Sequence, residues 1–131
     1  MQVSASSGAE RESRELAVVA ARAAAAKQAE DVLVLEVGPI LAIVDFFVIC
    51  SGTSVRQVKT VVEEVEKALR AEGVRPVRRE GEGDTGWVLL DYVDVVVHVF
   101  GQEQREYYGL ERLWLDAARI DWMPDARSAV E

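Results

Sequence analysis

The sequence predicts a single α/β domain: a mixed sheet of about five strands with about three helices. The first observation behind this is size. At 131 residues, half of them hydrophobic, the chain holds one proper core and is too short for two comfortable domains. The second is a set of short β-branched runs bounded by Gly, Pro, Asp and Ser, the signature of strands. The third is one stretch, from Ser54 onward, where the apolar period changes from two to 3.6.

Residues 1–10, "MQVSASSGAE", are small and polar without periodicity and are expected to form a disordered tail, with the domain spanning 11–118 and a second tail over 119–131. "SRELAVVAARAAAAKQAED" is alanine-rich with no Gly or Pro, which favours a helix at about 13–29. "DVLVLEV" (Asp31 to Val37) is stopped by Gly38-Pro39, and "DFFVICSG" (Asp45 to Gly52) is a second run able to pair with it. Val55, Val58, Val61, Val62, Val65 and Leu69 then share one helix face. Ser54 and Gln57 have capping-box spacing and Gly73 suits a left-handed end, so this helix is placed at 55–72. Lys59, Glu63 and Lys67 lie four apart on its solvated face.

"RPVRRE" offers a strand that tolerates Pro76 at an edge, followed by strands from Trp87 to Asp91 and Asp94 to Phe100. A last helix is expected in "EQREYYGLERLWLDAAR". Strand, helix, strand from Phe46 to Arg79 predicts a parallel right-handed crossover, and the three later strands predict a meander. A turn centred on Tyr92-Val93 pairs Asp91 with Asp94, Leu89 with Val96 and Trp87 with His98. Period two then puts Val88, Leu90, Val95, Val97 and Val99 on a core face. Trp87, Leu89, Asp91, Asp94, Val96 and His98 share the other, and with few helices to cover it this face is expected to stay partly open as a docking surface.

Several kinds of chemistry are disfavoured. Gly81, Gly83 and Gly86 in "EGEGDTGW" spell G-x-G-x-x-G, but a dinucleotide fingerprint opens a helix and this loop runs into the strand-like "WVLLDYVDVVVHVF". The balance of 15 Lys+Arg against 23 Asp+Glu, a formal charge of −8, opposes a phosphate footprint and leaves little direct nucleic-acid contact. A basic protein partner remains compatible. His98 is the only histidine, so a histidine-based metal site has no partner set and no metal or cofactor is expected. Asp91 and Asp94 read as turn residues, and the lone Cys50 as a buried thiol suited to a reducing cytoplasm. No segment approaches the roughly 18 apolar residues of a membrane span, and a secretory layout is missing at the N-terminus. The expectation is a soluble, cytoplasmic protein.

"CSGTS" before a helix N-terminus offers some likeness to a nucleotidyltransferase site, and a nucleotide bound near Gly52-Ser54 is the alternative reading. The second carboxylate such an enzyme needs is missing, because Val96 and His98 follow Asp94 on alternate positions. Trp114 lies at helical spacing with Leu110 and Tyr107 and reads as core. Trp87, on the half-polar face after a flexible loop, reads as a partner anchor.

Three stretches in order, "DFFVICSGTSVRQVKTVVEEV", "EGEGDTGWVLLDYVDVVVHVF" and "REYYGLERLWLDA", resemble the ribosomal silencing factor, or Iojap, family over about residues 14–118. Matching positions include Asp45, Ser54, Gly81, Trp87, Asp91, Asp94, His98, Arg105, Tyr108 and Trp114. The resemblance implies a nucleotidyltransferase-like topology without enzymatic activity. It further implies a translation repressor that binds large-subunit ribosomal protein number fourteen, blocks subunit joining and forms a homodimer when free. It assigns partner contact to the region of Trp87, Leu89, Asp91, Asp94, Val96, His98, Arg105 and Tyr108. Val93 stands where the family often has glycine at the hairpin turn. Gly109 stands where the family usually has another residue, so the last helix is expected to break there.

Overall fold

A computed structural model describes residues 2–123, with side chains from Glu12 onward. The expected N-terminal tail over 1–10 lies outside the described side chains, and residues 124–131 lie outside the described residues. The sheet has six strands in the order β3-β4-β5-β2-β1-β6. These are β1 (Glu30–Glu36), β2 (Phe46–Gly52), β3 (Arg78–Glu80), β4 (Trp87–Asp91), β5 (Val95–Gly101) and β6 (Ala118–Arg119). Only β2 and β5 run parallel, and every other neighbouring pair is antiparallel, so the sheet is mixed as expected. The sheet order places β4 and β5 between β2 and β3, so the crossover from β2 skips two positions, and β3, β4 and β5 form the expected meander.

Helices α1 (Gln2–Ala26) and α3 (Val55–Ala71) pack on one face. Alanines drive the first of these contacts. Ala17, Ala20, Ala21 and Ala24 are fully buried, and side chains this small let the helix backbone approach closely. Helix α1 is drawn from upstream of Ser13, and it stops at Ala26 rather than 29. Helix α3 buries Val58, Val61, Val62, Val65 and Leu69 of the stripe read from its period but leaves Val55 exposed, and Gly73 beyond it is left-handed at φ 88°. Its cap is only half the expected box. Ser54 Oγ accepts from Gln57 N at 3.1 Å, but the Gln57 amide oxygen accepts from Thr53 N at 2.6 Å instead of from Ser54. The Gln57 amide nitrogen donates to Lys27 and Gln28 carbonyls, tying the end of α1 to the start of α3.

Two elements differ from expectation, the segment at Gly38-Pro39 and the C-terminal strap, while the break of the last helix was expected. Gly38-Pro39 does not merely stop a strand; it opens a single helical turn, α2 (Gly38–Leu41), closed by Ala42 at φ 71°. The last helix breaks where Gly109 adopts φ 52°, leaving α4 (Gln102–Tyr108) and a 3-10 segment over Leu110–Trp114. Residues 118–119 then add a strand to the outer edge of β1, so the expected C-terminal boundary falls inside an ordered strap. Ile120 N donates to Val34 O at 2.8 Å and the Trp122 indole to Val32 O at 2.9 Å. The glycine loop carries a 3-10 turn over Gly83–Thr85 and enters β4, as its context predicted. Gly81 is required there: it sits at φ 85°, and a Cβ would run into the carbonyl of Trp87.

Val48, Cys50, Val88, Leu90, Val95, Val97 and Val99 make a dry face beneath α1 and α3. The opposite face carries a smaller core of Leu35, Phe47, Ile49, Val96 and Phe100, capped by Leu110 and Trp114 from the C-terminal segment. The face expected to stand partly open is therefore roofed over its centre.

Candidate functional site

The site region is the β4-β5 end of this second face. Its register is set by the hairpin, and the turn is displaced by one residue from the expected one. Tyr92 N donates to Val95 O at 2.9 Å, which makes Val93-Asp94 the central pair. Asp91 Oδ1 accepts from Val93 N at 2.8 Å, an Asx turn that confirms turn chemistry for this carboxylate. Asp91 consequently faces Val96, Leu89 faces His98 and Trp87 faces Phe100, two residues along from the predicted partners. A slip of two preserves the faces, so the predicted grouping survives.

Trp87 is half-buried against Phe100 and Tyr108, with ring centroids 4.9 and 4.8 Å away. Leu89 and Asp91 are half-buried beside it, and Asp94 is exposed on the turn. Val96 and His98 are buried, not presented. His98 meets Phe47 edge-on at 4.9 Å, and Phe47 meets Trp114 edge-on at 5.5 Å. Burial lowers the His98 pKa to about 4, so the imidazole is neutral near pH 7. Because its Nδ1 accepts from the Trp87 indole, the proton is assigned to Nε2.

Arg105 is buried as well. Its guanidinium donates from Nε to both oxygens of Glu111 at 3.2 Å and from Nη2 to Asp31 O at 2.8 Å. It also reaches Ser51 Oγ at 3.4 Å. It thereby fastens α4 and the 3-10 segment to the start of β1, across the Gly109 break. Tyr107, Tyr108, Leu113 and Leu115 are left at the surface. Leu113 and Leu115 were not placed at the docking surface by the sequence reading, which expected the break at Gly109 but not the direction of the side chains after it. The signal was Gly109, since rewinding into a tighter segment turns them outward.

The nucleotide alternative has a physical test. A cleft of about 290 Å³ does lie at the ends of β2 and β5, lined by Gly52, Ser54, Asp84, Gly101 and Glu103 among others. No lysine or arginine lines it, and two carboxylates do, so a polyphosphate would enter without neutralisation. Cys50 is fully buried and its thiol is pushed up to about 12, which makes it inert. Among the described residues no group of three or more His, Cys, Asp or Glu is arranged to hold a metal ion, and no helix is long and apolar enough to cross a membrane.

Residues 10–131 match the family model described as ribosomal silencing factor during starvation. The chain belongs to the ribosomal silencing factor family. It is 43% identical over 108 residues to the ribosomal silencing factor RsfS of Halalkalibacterium halodurans, covering 82% of this chain and 92% of that one. A crystal structure from Bacillus halodurans, 40% identical, superimposes with a TM-score of 0.71 over 82% of this chain and 98% of that chain. The chain is also 35% identical over 91 residues to mouse mitochondrial assembly of ribosomal large subunit protein 1, covering 67% of this chain and 40% of that protein. The mixed α/β sheet of this silencing factor is thus shared with the Bacillus halodurans crystal structure.

Proposed function

We propose that this silencing factor is a cytoplasmic translation repressor. It docks on ribosomal protein number fourteen of the large subunit and sterically prevents the small subunit from joining. It acts by occupying a surface, not by catalysis, and it pairs with a second copy when free. Family membership supports the ribosomal role, and the name of the mouse relative points towards the large subunit.

The observation that carries the proposal is the aromatic edge of Trp87 and Tyr108. Two large rings meet at 4.8 Å, tilted by 47°, with Tyr108 half exposed, on a chain that also exposes Leu113 and Leu115 and whose net charge of −8 suits a basic protein partner. Of the residues expected to contact the partner, Trp87, Leu89, Asp91, Asp94 and Tyr108 lie where contact is available. Val96, His98 and Arg105 are buried and serve by holding them in place.

Sucrose gradients test it: the purified protein co-sediments with large subunits and lowers the yield of joined ribosomes. Unchanged profiles at saturating protein would overturn the proposal.

A further inference from the structure

The hairpin tip carries a feature that the aromatic edge does not explain. Val93 sits at the apex with φ 76°, a backbone region in which a β-branched residue is a genuine outlier and which glycine occupies freely. Its side chain gains little inside the fold, since it is 54% exposed. Asp94 O accepts from Asp45 N at 2.8 Å and from Phe46 N at 3.1 Å, which clamps the tip to the loop between α2 and β2. That neighbourhood presents two more aliphatic side chains, Ile40 at 51% and Ile43 at 77% exposure. Three branched apolar residues therefore crown the end of the sheet at which β2 and β5 begin.

The charges around this crown select its occupant. Residues 37–45 and 92–95 hold Asp45 and Asp94 and no lysine or arginine, and the arginines beside these segments, Arg14 over the Phe46 ring and Arg78, are paired with Glu36 and Asp91. A second copy would set acid against acid, and a nucleic acid would set phosphate against acid. An apolar protein surface with a basic rim matches both the aliphatic centre and the acidic edge.

We infer that the docking surface of this silencing factor is bipartite, with Val93, Ile40 and Ile43 forming a second contact that takes an apolar, basic-rimmed patch of the same ribosomal partner reached by Trp87 and Tyr108. Strand β4 connects the two parts: Trp87 stands at one end and Asp91, which holds the Val93 turn, at the other. This extends the proposed ribosomal reading and rests on it.

The test measures binding to purified large ribosomal subunits across a salt series for the wild type, Val93→Gly, Ile43→Ser, Asp94→Asn and Tyr108→Ala. Val93→Gly removes the side chain while relieving the backbone, so its melting temperature stays level or rises while affinity drops roughly tenfold, the scale of one good interface contact. Ile43→Ser gives a similar loss with unchanged folding. Asp94→Asn weakens binding less and flattens its salt dependence. If Val93→Gly and Ile43→Ser bind like the wild type while Tyr108→Ala is impaired, the second contact is overturned and the ribosomal reading stands. Loss of self-association in these variants with ribosome binding intact would make the patch a self-interface, again overturning the inference. If the wild type itself fails to bind, both readings fall together.

Discussion

The indole nitrogen of Trp87 donates to Nδ1 of His98 at 3.3 Å, although the two residues do not face each other across the β4-β5 ladder. They are diagonal neighbours on one face, and long aromatic side chains reach that far. The contact joins a half-exposed ring to a buried one. His98 thereby becomes a support for the docking edge, and its protonation is tied to the integrity of that edge.

A pH dependence follows. The His98 pKa falls to about 4 in the folded protein from an ordinary 6.5. As pH drops below 6.5 the unfolded chain binds a proton that the folded chain still refuses, so stability declines between about 6.5 and 4 and is fully present above that window. At roughly 1.4 kcal/mol per pH unit the loss approaches about 3 kcal/mol. Urea denaturation of the wild type and His98→Phe across pH 4 to 7 isolates it, because carboxylate titrations are common to both. Parallel curves would show that His98 does not contribute.

Tyr108 separates docking from folding better than Trp87 does. The sequence reading makes Trp87 a partner anchor, but this ring is half-buried on Phe100 and bonded to His98. Its removal is expected to cost about 2 kcal/mol, around half the loss for a fully buried aromatic. Tyr108→Ala, at a half-exposed position, is expected to cost under about 1 kcal/mol of stability while large-subunit affinity drops tenfold or more. Calorimetry paired with co-sedimentation reads both. A large stability loss in Tyr108→Ala would return this ring to the core.

Arg105 has the opposite expectation. Replacing it with alanine leaves the Asp31 carbonyl and Glu111 without their donor, and Glu111 is only partly reached by solvent. The expected cost is about 2 kcal/mol or more. Arg105→Lys recovers little, because one ammonium does not span Glu111, Ser51 and Asp31 as a planar fork does. Chemical denaturation of both variants decides it. A fully stable alanine variant would show that the 3-10 cap is held by its apolar contacts alone.

What was legible in the sequence was the extent of elements with a marked period or a punctuated end. Helix α3 and strands β1, β2, β4 and β5 each expose a polar face or stop at Gly, Pro or Asp, so period and punctuation gave bounds within a residue or two of those observed. The hairpin register was less legible, because the turn is set by an Asp91 side-chain bond and a valine in a glycine conformation, against propensity. Strand β6 was invisible, since two residues carry no period and their place depends on the free edge of β1. The shared strand face of Trp87, Leu89, Asp91, Val96 and His98 was read despite the register error because alternation survives a slip of two. The burial of Val96, His98 and Arg105 was not, because it depends on the cap that the Gly109 break allows.

Val93 gives a final expectation that concerns stability alone. Residues held at sparsely populated backbone angles cost about 1–3 kcal/mol, and this one is β-branched and over half exposed, so little packing offsets the strain. Glycine relieves the strain but gives the unfolded chain more freedom, a loss of about 0.4–1 kcal/mol. The difference favours Val93→Gly by roughly 1 kcal/mol, a rise of about 4–8 °C in melting temperature if the chain behaves as a small domain, or nearer 2–4 °C if as a larger one. The Asp91 bond to residue 93 uses the backbone N–H and so survives the change. Differential scanning calorimetry of the single variant measures the outcome. A lowered melting temperature would mean that the valine side chain contributes packing at the tip that outweighs its backbone cost.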